Sequence, residues 1–284
     1  MNGLINLYKP PSMSSAQVVA KVRRILGEKS VGHMGTLDPM AEGVLVLGVG
    51  KSTRLFEYLS GRKKSYIAKF KFGYETDTLD ACGKVTETTC DIPSVDAIMH
   101  AMQSLVGKIE QVPPQYSAKH VNGKRAYAIA RGGESAELKP VSVEIYGAEL
   151  ICQPSMSETV FSIDCSCGTY IRSICRDVAR MCGSLATLTY LQRTASGCFS
   201  VRDSVSLEAL EVRKASALVP PDSVLDIPKY VVPDDRYADL CYGRKLPCDR
   251  SGDVLVYCRS EFFGIGHAVD GVLKIKTYLK DEMS

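Results

Sequence analysis

Residues 32–43 read Gly-His-Met-Gly-Thr-Leu-Asp-Pro-Met-Ala-Glu-Gly, and this stretch decides how the rest of the 284-residue chain is interpreted. Its glycines permit positive φ angles and a close approach of the backbone to a ligand. Pro39 restrains the backbone and biases Asp38 away from the helical region. The stretch therefore predicts a stiff loop, and the continuous apolar run at 44–49 predicts a buried strand after it. Asp38 on such a loop either acts on a ligand or only caps a turn.

The segment before this loop has a clear secondary-structure pattern. Ile5 and Leu7 alternate with polar neighbours, which favours a short strand at the start of the chain. Ser14, followed three residues later by Gln17, is the pattern of a capping box. We therefore expect a helix that begins after Ser14 and ends at Gly27.

The segment after the loop alternates between apolar and basic residues. Tyr66 and Phe70 share one face of residues 63–72, whereas Lys69 and Lys71 lie on the other. This alternation predicts a half-buried strand with a basic outer side. Further periodic segments predict helices at 94–106 and 171–181 and strands at 141–150 and 160–167.

The last part of the chain differs in composition from the rest. Residues 220–233 are rich in proline and acidic residues, which is typical of a domain boundary. The short strands that follow indicate a small β-barrel. We expect an α+β protein with two domains, residues 1–226 and residues 227–284. The strands predicted in the second domain are 254–258, 262–269 and 272–278.

Composition excludes several classes of protein. The chain is 45% apolar and 24% charged, as in soluble globular proteins, so it is neither disordered nor fibrous. It has no apolar run long enough for a membrane helix and no recognisable signal segment, so a cytoplasmic protein without membrane contact is expected. The net charge is only +3, but basic residues cluster at 51–71 and 119–131 among tyrosines. Such clusters favour a nucleic-acid partner, although a solvated charged face is the alternative.

The cysteines do not indicate a metal site. There are 11 cysteines and 4 histidines, but no Cys-x-x-Cys pair, and the histidines lie far apart in the sequence. Structural zinc sites usually use closely spaced ligand pairs. We therefore interpret the cysteines as reduced thiols that serve as small apolar residues.

A resemblance to a known family joins the loop to other segments of the chain. Residues 32–43 resemble the signature of the TruB-type pseudouridine synthases, and further segments resemble that family's other motifs in the same order. Ser12 stands where the family usually has glycine. The resemblance implies a central mixed, largely antiparallel sheet flanked by helices and a small C-terminal PUA-like RNA-binding β-barrel. The matching segments are 9–15, 32–43, 64–66, 76–83, 113–119, 123–127, 168–173 and 191–194.

The resemblance also implies roles for individual residues. Asp38 is the expected nucleophile and Arg172 its ion-pair partner, although Arg172 could instead bind a phosphate. Tyr66 is expected to stack on the target base and to help remove its C5 proton, with core packing as the alternative. Leu191 is expected to form an apolar wall of the pocket.

Other residues are expected to contact RNA. His33 is a candidate to occupy the space that a flipped base leaves. Lys9 either braces the catalytic loop or touches a phosphate. The remaining candidates for RNA contacts are Lys63, Lys64, Tyr116, Lys119, Arg125 and Arg131.

The activity implied by the resemblance is the isomerisation of uridine 55 in the T-loop of tRNA to pseudouridine. An isomerisation of this kind requires no metal and no redox cofactor. We expect the T-stem-loop of tRNA as the partner, no obligatory protein partner and a monomer. Two alternatives remain open, namely a guide-RNA-dependent synthase and an RNA-binding or tRNA-folding protein.

Overall fold

The computed structural model describes residues 1–59, 61–117, 119–121, 124, 125, 127, 129, 132 and 136–280, and at 120, 121, 124 and 125 it describes the backbone alone. Within these residues the α-helices are α1 (Ser15–Leu26), α2 (Phe56–Leu59), α3 (Val95–Ser104), α4 (Ile171–Met181), α5 (Leu207–Arg213) and α6 (Tyr237–Cys241). No helix of the described part combines the length and the apolar character that crossing a bilayer requires.

The strands fall into two large and two small sheets. The first half of the chain contributes β1 (Gly3–Lys9), β2 (Val31–His33), β3 (Glu42–Val49), β4 (Lys64–Phe72), β5 (Tyr74–Thr76), β6 (Val85–Thr88), β7 (Gly107–Gln111), β8 (His120–Val121) and β9 (Lys124–Arg125). The second half contributes β10 (Val141–Ser155), β11 (Glu158–Cys165), β12 (Ala186–Ser196), β13 (Phe199–Ser200), β14 (Lys229–Val231), β15 (Leu246–Pro247), β16 (Gly252–Cys258), β17 (Glu261–Val269) and β18 (Val272–Tyr278).

The larger sheet confirms the expected mixed, largely antiparallel architecture. Its strands follow the order β1-β3-β12-β4-β11-β10-β7, with β2 paired to β3 and β13 paired to β12. The pairing of β12 with β3 is parallel, and the other pairings along this order are antiparallel. Apolar residues of α1, α3 and α4 pack against this sheet in one large core. The order brings β3, β12 and β4, which are far apart in sequence, side by side.

Helix α1 has the ends that the sequence predicts. The Ser14 Oγ accepts from the Gln17 amide at 3.2 Å, and the Gln17 Oε1 accepts from the Ser14 amide at 2.8 Å, which completes the capping box. The helix ends at Gly27, whose φ of 64° is the left-handed conformation that glycine adopts without strain. Val18 and Val22 are buried against the sheet, which holds the helix beside the loop that follows β2.

Strand β4 is half-buried, as expected, and begins at Lys64. Tyr66, Phe70 and Phe72 are buried on one face, whereas Lys69 and Lys71 are only partly covered on the other. Helix α4 coincides with the predicted helix. The strand at 141–150 is longer than predicted, because β10 continues to Ser155 as one arm of a hairpin with β11.

The predicted loop at 32–43 is shorter than its glycine content indicates. Residues 32 and 33 belong to β2, which pairs with β3 in antiparallel register, and β3 already begins at Glu42. The pairing supplies hydrogen-bond partners for backbone groups that would otherwise be buried without one. The irregular segment that carries Asp38 is therefore 34–41.

The C-terminal strands form a second, five-stranded sheet in the order β14-β16-β17-β18-β15, a curled half-barrel that confirms the PUA-like expectation. Apolar residues from both sheets meet in one cluster, which includes Leu4 and Val44 from the larger sheet and Leu255 and Ile265 from the smaller one. Leu225, in the proline-rich segment between the sheets, is buried in the same cluster. This segment therefore packs against both sheets.

The cysteines fit the sequence interpretation only in part. All eleven are free, and four of them are buried as small apolar residues. Five are exposed, a distribution that composition could not predict: Cys82, Cys90, Cys152, Cys167 and Cys198.

Candidate active site

A cavity of about 230 Å³ opens between the loop at 34–41, strand β4 and the start of α4. Each molecule of liquid water takes up about 30 Å³, so the volume of the cavity corresponds to about eight water molecules. A group the size of one nucleobase therefore fits this space. Its walls bring together residues from separate predicted motifs. The lining residues are Gly35, Thr36, Leu37, Asp38, Lys64, Tyr66, Ser117, Gly168, Thr169, Tyr170, Ile171, Arg172 and Leu191.

Asp38 and Arg172 form an ion pair in this cavity. The Arg172 Nη2 donates to Asp38 Oδ1 at 3.0 Å, and Nε lies 2.9 Å from Oδ2 without the direction of a hydrogen bond. The Arg172 side chain is 4% exposed, whereas that of Asp38 is 29% exposed. The carboxylate is therefore within reach of a ligand in the cavity, while the protein covers the cation behind it. A guanidinium in this position holds the carboxylate in a fixed orientation.

Further acceptors hold the Arg172 guanidinium. Its Nη1 donates to the Thr78 carbonyl at 2.9 Å, and its Nη2 donates to the Tyr116 carbonyl at 3.0 Å. The Asp80 Oδ2 lies 3.7 Å from Nη1 and supplies a second negative charge. Arg172 is thus fixed by groups on three separate segments, because a planar guanidinium can donate in several directions at once.

Asp80 is a residue beside the ion pair to which the sequence interpretation assigned no role. It is buried, and its Oδ1 accepts from the Thr78 hydroxyl at 2.8 Å and from the Cys82 amide at 3.0 Å. These local bonds form a turn that aims the other carboxylate oxygen at Arg172. The signal was present, since Asp80 lies inside the matching segment 76–83, but the segment alone does not show which residue it faces.

The start of α4 is held by a side chain from another strand. Gln111, at the end of β7, donates from Nε2 to the Tyr170 carbonyl at 3.1 Å and accepts from the Tyr170 amide at 2.8 Å. Tyr170 is the N-cap residue of α4, and Arg172 lies in the first turn of that helix. This two-point contact therefore sets the position from which Arg172 reaches Asp38.

The loop at 34–41 is braced from the side of α1. The Ser15 hydroxyl donates to the Leu37 carbonyl at 3.0 Å and accepts from the Leu37 amide at 2.9 Å, directly before Asp38. The Lys9 Nζ donates to the carbonyls of Pro10 at 2.8 Å and Pro39 at 3.3 Å. Lys9 is fully buried, so this geometry favours the bracing role over contact with a phosphate. Burial lowers the pKa of Lys9 to about 8.

Arg193 braces the same loop from β12, and the sequence interpretation assigned it no role. Its side chain is fully buried and donates to the carbonyls of Val44 at 2.7 Å, Gly35 at 3.2 Å and Thr36 at 3.4 Å. These carbonyls belong to the loop and to the strand that follows it. Only the quoted segment 191–194 marked this position, and an arginine in a strand usually indicates an exposed residue.

Tyr66 and Leu191 lie on neighbouring strands and form walls of the cavity. Both are buried, and both line the space beside Asp38. Burial raises the pKa of Tyr66, and the Arg193 guanidinium beside the phenol opposes this only in part. Burial therefore favours the neutral phenol over the phenolate.

Three of the predicted RNA contacts lie at or near the cavity. Lys64 lines the cavity, whereas the sequence interpretation expected a contact with the RNA backbone. Tyr116 is half-buried, and its carbonyl accepts from Arg172. His33 is half-buried on β2, next to the start of the irregular loop.

Lys63 and Lys119 are not among the residues that line the cavity. Lys63 is exposed, and its ammonium lies 2.6 Å from the Asp164 carboxylate. Lys119 is exposed. The side chain of Arg125 and the whole of Arg131 lie outside the described residues. Among the residues that are described, no group of three or more His, Cys, Asp or Glu side chains could hold a metal ion.

Solved structures share this fold. A structure described as a Cbf5-Nop10-Gar1 complex contains a chain that is 26% identical with a TM-score of 0.67, and the match covers 94% of this chain and 78% of that one. A chain in an H/ACA RNP bound to a substrate RNA containing 2'-deoxyuridine gives a TM-score of 0.69 at 23% identity, with coverage of 98% and 85%. The second likeness concerns the fold alone.

Curated relatives are similar to the chain over nearly its whole length. The tRNA pseudouridine synthase B of Acaryochloris marina is 40% identical, with 98% of this chain and 99% of the relative covered. That of Thermosipho melanesiensis is 39% identical, with coverage of 94% and 91%. The model of the TruB family pseudouridylate synthase N-terminal domain matches residues 23–171, which include Asp38 and Tyr66. On these matches, the chain belongs to the TruB family of pseudouridylate synthases, which are isomerases.

Proposed function

We propose that this chain converts uridine 55 in the T-loop of tRNA to pseudouridine. One observation carries the proposal: the Asp38–Arg172 ion pair lies in a cavity of nucleobase size with Tyr66 and Leu191 in its walls. The curated relatives, which are named tRNA pseudouridine synthase B, support tRNA as the substrate. The position within tRNA follows from the family resemblance of the chain.

The proposed reaction begins when the target uridine leaves its stack and enters the cavity, which costs a few kcal/mol. The N1–C1′ bond then breaks and its electron pair stays with the base. The base turns, a C5–C1′ bond forms, the C5 proton passes to solvent water with the help of Tyr66, and N1 takes up a proton from solvent. The Asp38 carboxylate acts as the nucleophile, either at C1′ of the ribose or at C6 of the base, and leaves again when the product forms.

The residues around Asp38 have distinct parts in this scheme. Arg172 keeps the carboxylate pointed into the cavity through contacts at 2.9 and 3.0 Å. Tyr66 stacks on the base and helps to remove its C5 proton, and Leu191 on the neighbouring strand adds an apolar wall. These walls restrict the access of water, which would otherwise attack C1′ of the ribose while the base is detached.

The wider RNA interface follows the sequence predictions. Lys63, Lys119, Arg125 and Arg131 are the proposed contacts to the RNA backbone, which position the substrate without reading its sequence. His33 occupies the space of the flipped base. We assign residues 1–226 to the catalytic domain and 227–284 to a small RNA-binding domain, in a monomer that acts in the cytoplasm and requires no protein partner.

Tritium release tests this function. An unmodified tRNA transcript tritiated at uridine C5 is incubated with purified protein, without metal, cofactor or guide RNA. Wild type is expected to release one equivalent from the T-loop. Asp38→Asn should release none but should still bind the tRNA, because phosphate contacts supply most of the affinity.

The same assay separates the alternatives. A folded wild type that binds tRNA but releases no tritium contradicts the proposal and favours a guide-dependent enzyme. Restoration of function in cells by Asp38→Asn would instead favour an RNA-folding role. Release that maps outside the T-loop would contradict the assignment to uridine 55.

A further inference from the structure

Lys64 is a basic residue of the cavity that the scheme above does not use. It lies at the start of β4, two residues before Tyr66, and side chains two residues apart in a strand share a face. Both residues line the cavity together with Asp38. The backbone of Lys64 is held on both sides, because it pairs with Cys165 of β11 and with Ser196 of β12. Its position is therefore set by the centre of the sheet.

The Lys64 ammonium lacks a carboxylate partner of the kind that Lys63 and Lys69 have within the described part of the chain. Lys63 is paired with Asp164 at 2.6 Å, and Lys69 is paired with Glu158 at 3.6 Å. Across the described residues, Lys64 has neither a hydrogen bond nor an ion pair within 4 Å. An ammonium that is withdrawn from solvent without a counterion is unfavourable for the folded protein.

The backbone of the catalytic loop makes room for this ammonium. Gly35 has a φ of 90°, and a Cβ atom at that position would lie 2.9 Å from the Lys64 Nζ and 3.9 Å from the Arg193 Nη1. A side chain at position 35 would therefore require the end of the flexible Lys64 side chain to move, and the positive φ itself favours glycine there. Arg193 adds to the positive charge here, and it lowers the pKa of Lys64 in the same direction as burial does.

The two arginines of the site already have acceptors. Arg172 contacts both Asp38 and Asp80, and Arg193 donates to backbone carbonyls. Lys64 is thus a cation at the wall of a nucleobase-sized space that has no acceptor among the described residues. A preorganised cation of this kind contributes most where negative charge develops during a reaction.

We propose that the Lys64 ammonium contacts a carbonyl oxygen of the flipped uracil and stabilises the negative charge that the base acquires in the reaction. The inference rests on the proposed function. If Asp38 attacks C1′, the N1–C1′ electron pair leaves with the base, whose charge spreads over N1, O2 and O4. If Asp38 attacks C6, the C5=C6 electrons move toward C4 and place the charge on O4. In both routes an anionic oxygen of the base needs a donor, and the charge disappears when C5 bonds to C1′ and N1 is protonated.

A phosphate of the same nucleotide is the other source of an anionic oxygen. The base is favoured because Lys64 shares its strand face with Tyr66 and lies over the loop that carries Asp38. The two sources differ in kinetics. A phosphate is charged in the bound ground state and in the transition state alike, whereas the base becomes charged only during the reaction.

The test compares Lys64→Met and Lys64→Arg with wild type. Lys69→Met is the matched control, because Lys69 lies on the same strand but faces away from the cavity. Single-turnover tritium release is measured with saturating enzyme, and the Kd for tRNA is measured by filter binding at several salt concentrations. Lys64→Met is expected to slow release by about a hundredfold, the order seen when one preorganised donor is lost. Its Kd should stay within about twofold of wild type, and Lys64→Arg, which keeps the charge, should retain part of the rate.

The other outcomes overturn the inference. In one of them Lys64→Met binds tRNA more weakly, with the slope of log K against log salt concentration reduced by about one, while the single-turnover rate at saturating enzyme is unchanged. That result identifies a phosphate contact. An unchanged rate and Kd for Lys64→Met show that Lys64 contacts neither group. If Lys64→Met does not fold, Lys64→Gln replaces it and is compared with Lys64→Arg. Equal single-turnover rates for these two variants show that the charge has no role. Absence of release from wild type contradicts the proposed function itself, whereas an active wild type beside an equally active Lys64→Met contradicts only this inference.

Discussion

The buried guanidinium of Arg193 donates from Nε to the carbonyl oxygen of Val44 at 2.7 Å, so β12 is joined to the strand that follows the catalytic loop. The same group reaches the carbonyls of Gly35 and Thr36, near the other end of that loop. One side chain therefore spans the segment that carries Asp38. Donors from β1, α1 and β12 therefore satisfy backbone acceptors of this loop, which a glycine-rich sequence does not provide by itself.

Arg193→Met should reduce both stability and activity. The substitution leaves the carbonyls of Val44, Gly35 and Thr36 without their donor in a buried environment, at a cost of about 1–3 kcal/mol for each group that stays unsatisfied. We expect the free energy of unfolding, measured by urea titration, to fall by about 3–5 kcal/mol, and single-turnover tritium release to slow at least tenfold. Wild-type stability in the variant would show that the loop does not depend on this brace.

Arg172→Lys should slow the reaction without weakening tRNA binding. A lysine keeps the charge but cannot reach Asp38, Thr78 and Tyr116 together, because it lacks the planar fork of arginine. We expect single-turnover release to fall by about 10²–10³ with an unchanged Kd. Arg176→Lys is the control, since Arg176 lies one turn later on α4 and contacts Asp177 and Val112. Equal losses in the two variants would contradict a specific role for Arg172.

Asp80→Asn should have a smaller effect of the same kind. The amide keeps the size of the side chain and can still accept from Thr78 and Cys82, but the charge 3.7 Å from Arg172 is lost. Arg172 then attracts Asp38 more strongly and makes its carboxylate a weaker nucleophile. A barrier increase of about 1–2 kcal/mol corresponds to a rate reduced by about ten- to thirtyfold.

Asp77→Asn provides the comparison for this prediction. Asp77 lies in the same turn, but its carboxylate accepts from the Lys84 amide and not from Arg172. If both variants lose the same activity, the turn as a whole is responsible, and the charge of Asp80 is not.

Lys9 should make the free energy of unfolding change with pH in the alkaline range. Its pKa is about 8 in the folded protein and about 10.4 when unfolded, so between these values the unfolded state binds more protons. Stability conferred by this residue therefore rises with pH through that window, because the buried ammonium becomes a neutral amine. Relative to Lys9→Met, wild type should gain up to about 1.4 kcal/mol per pH unit between pH 8 and 10. Urea titrations of both proteins at several pH values measure the difference, and a constant difference would contradict the prediction.

Local elements of the fold were predictable because their causes are local. The capping box of Ser14 and Gln17, the left-handed Gly27 and the alternation along β4 each depend on residues within a few positions of one another. The residues of the site were predictable for a different reason. Asp38, Tyr66 and Arg172 lie in segments that resemble a family, and the cavity brings those segments together.

Contacts between distant segments could not be predicted in the same way. Arg172 meets Asp38 across 134 positions and Thr78 across 94, and the strand order places β12 between β3 and β4. Asp80 and Arg193 were therefore missed, although both lie in segments that matched. Lys64 was expected to contact the RNA backbone, but the structure places it in the cavity wall.

The sequence by itself determined the helices and strands, the class of fold and the family, because periodicity, capping and motif spacing are properties of the chain in order. Only the tertiary structure decided which charges are matched and which are not. Asp38 and Asp80 share Arg172, Arg193 is saturated by carbonyls, and Lys64 remains without a counterion among the described residues. That distribution depends on distances of a few ångströms between segments far apart in sequence, because electrostatic and hydrogen-bond energies are set by proximity in space.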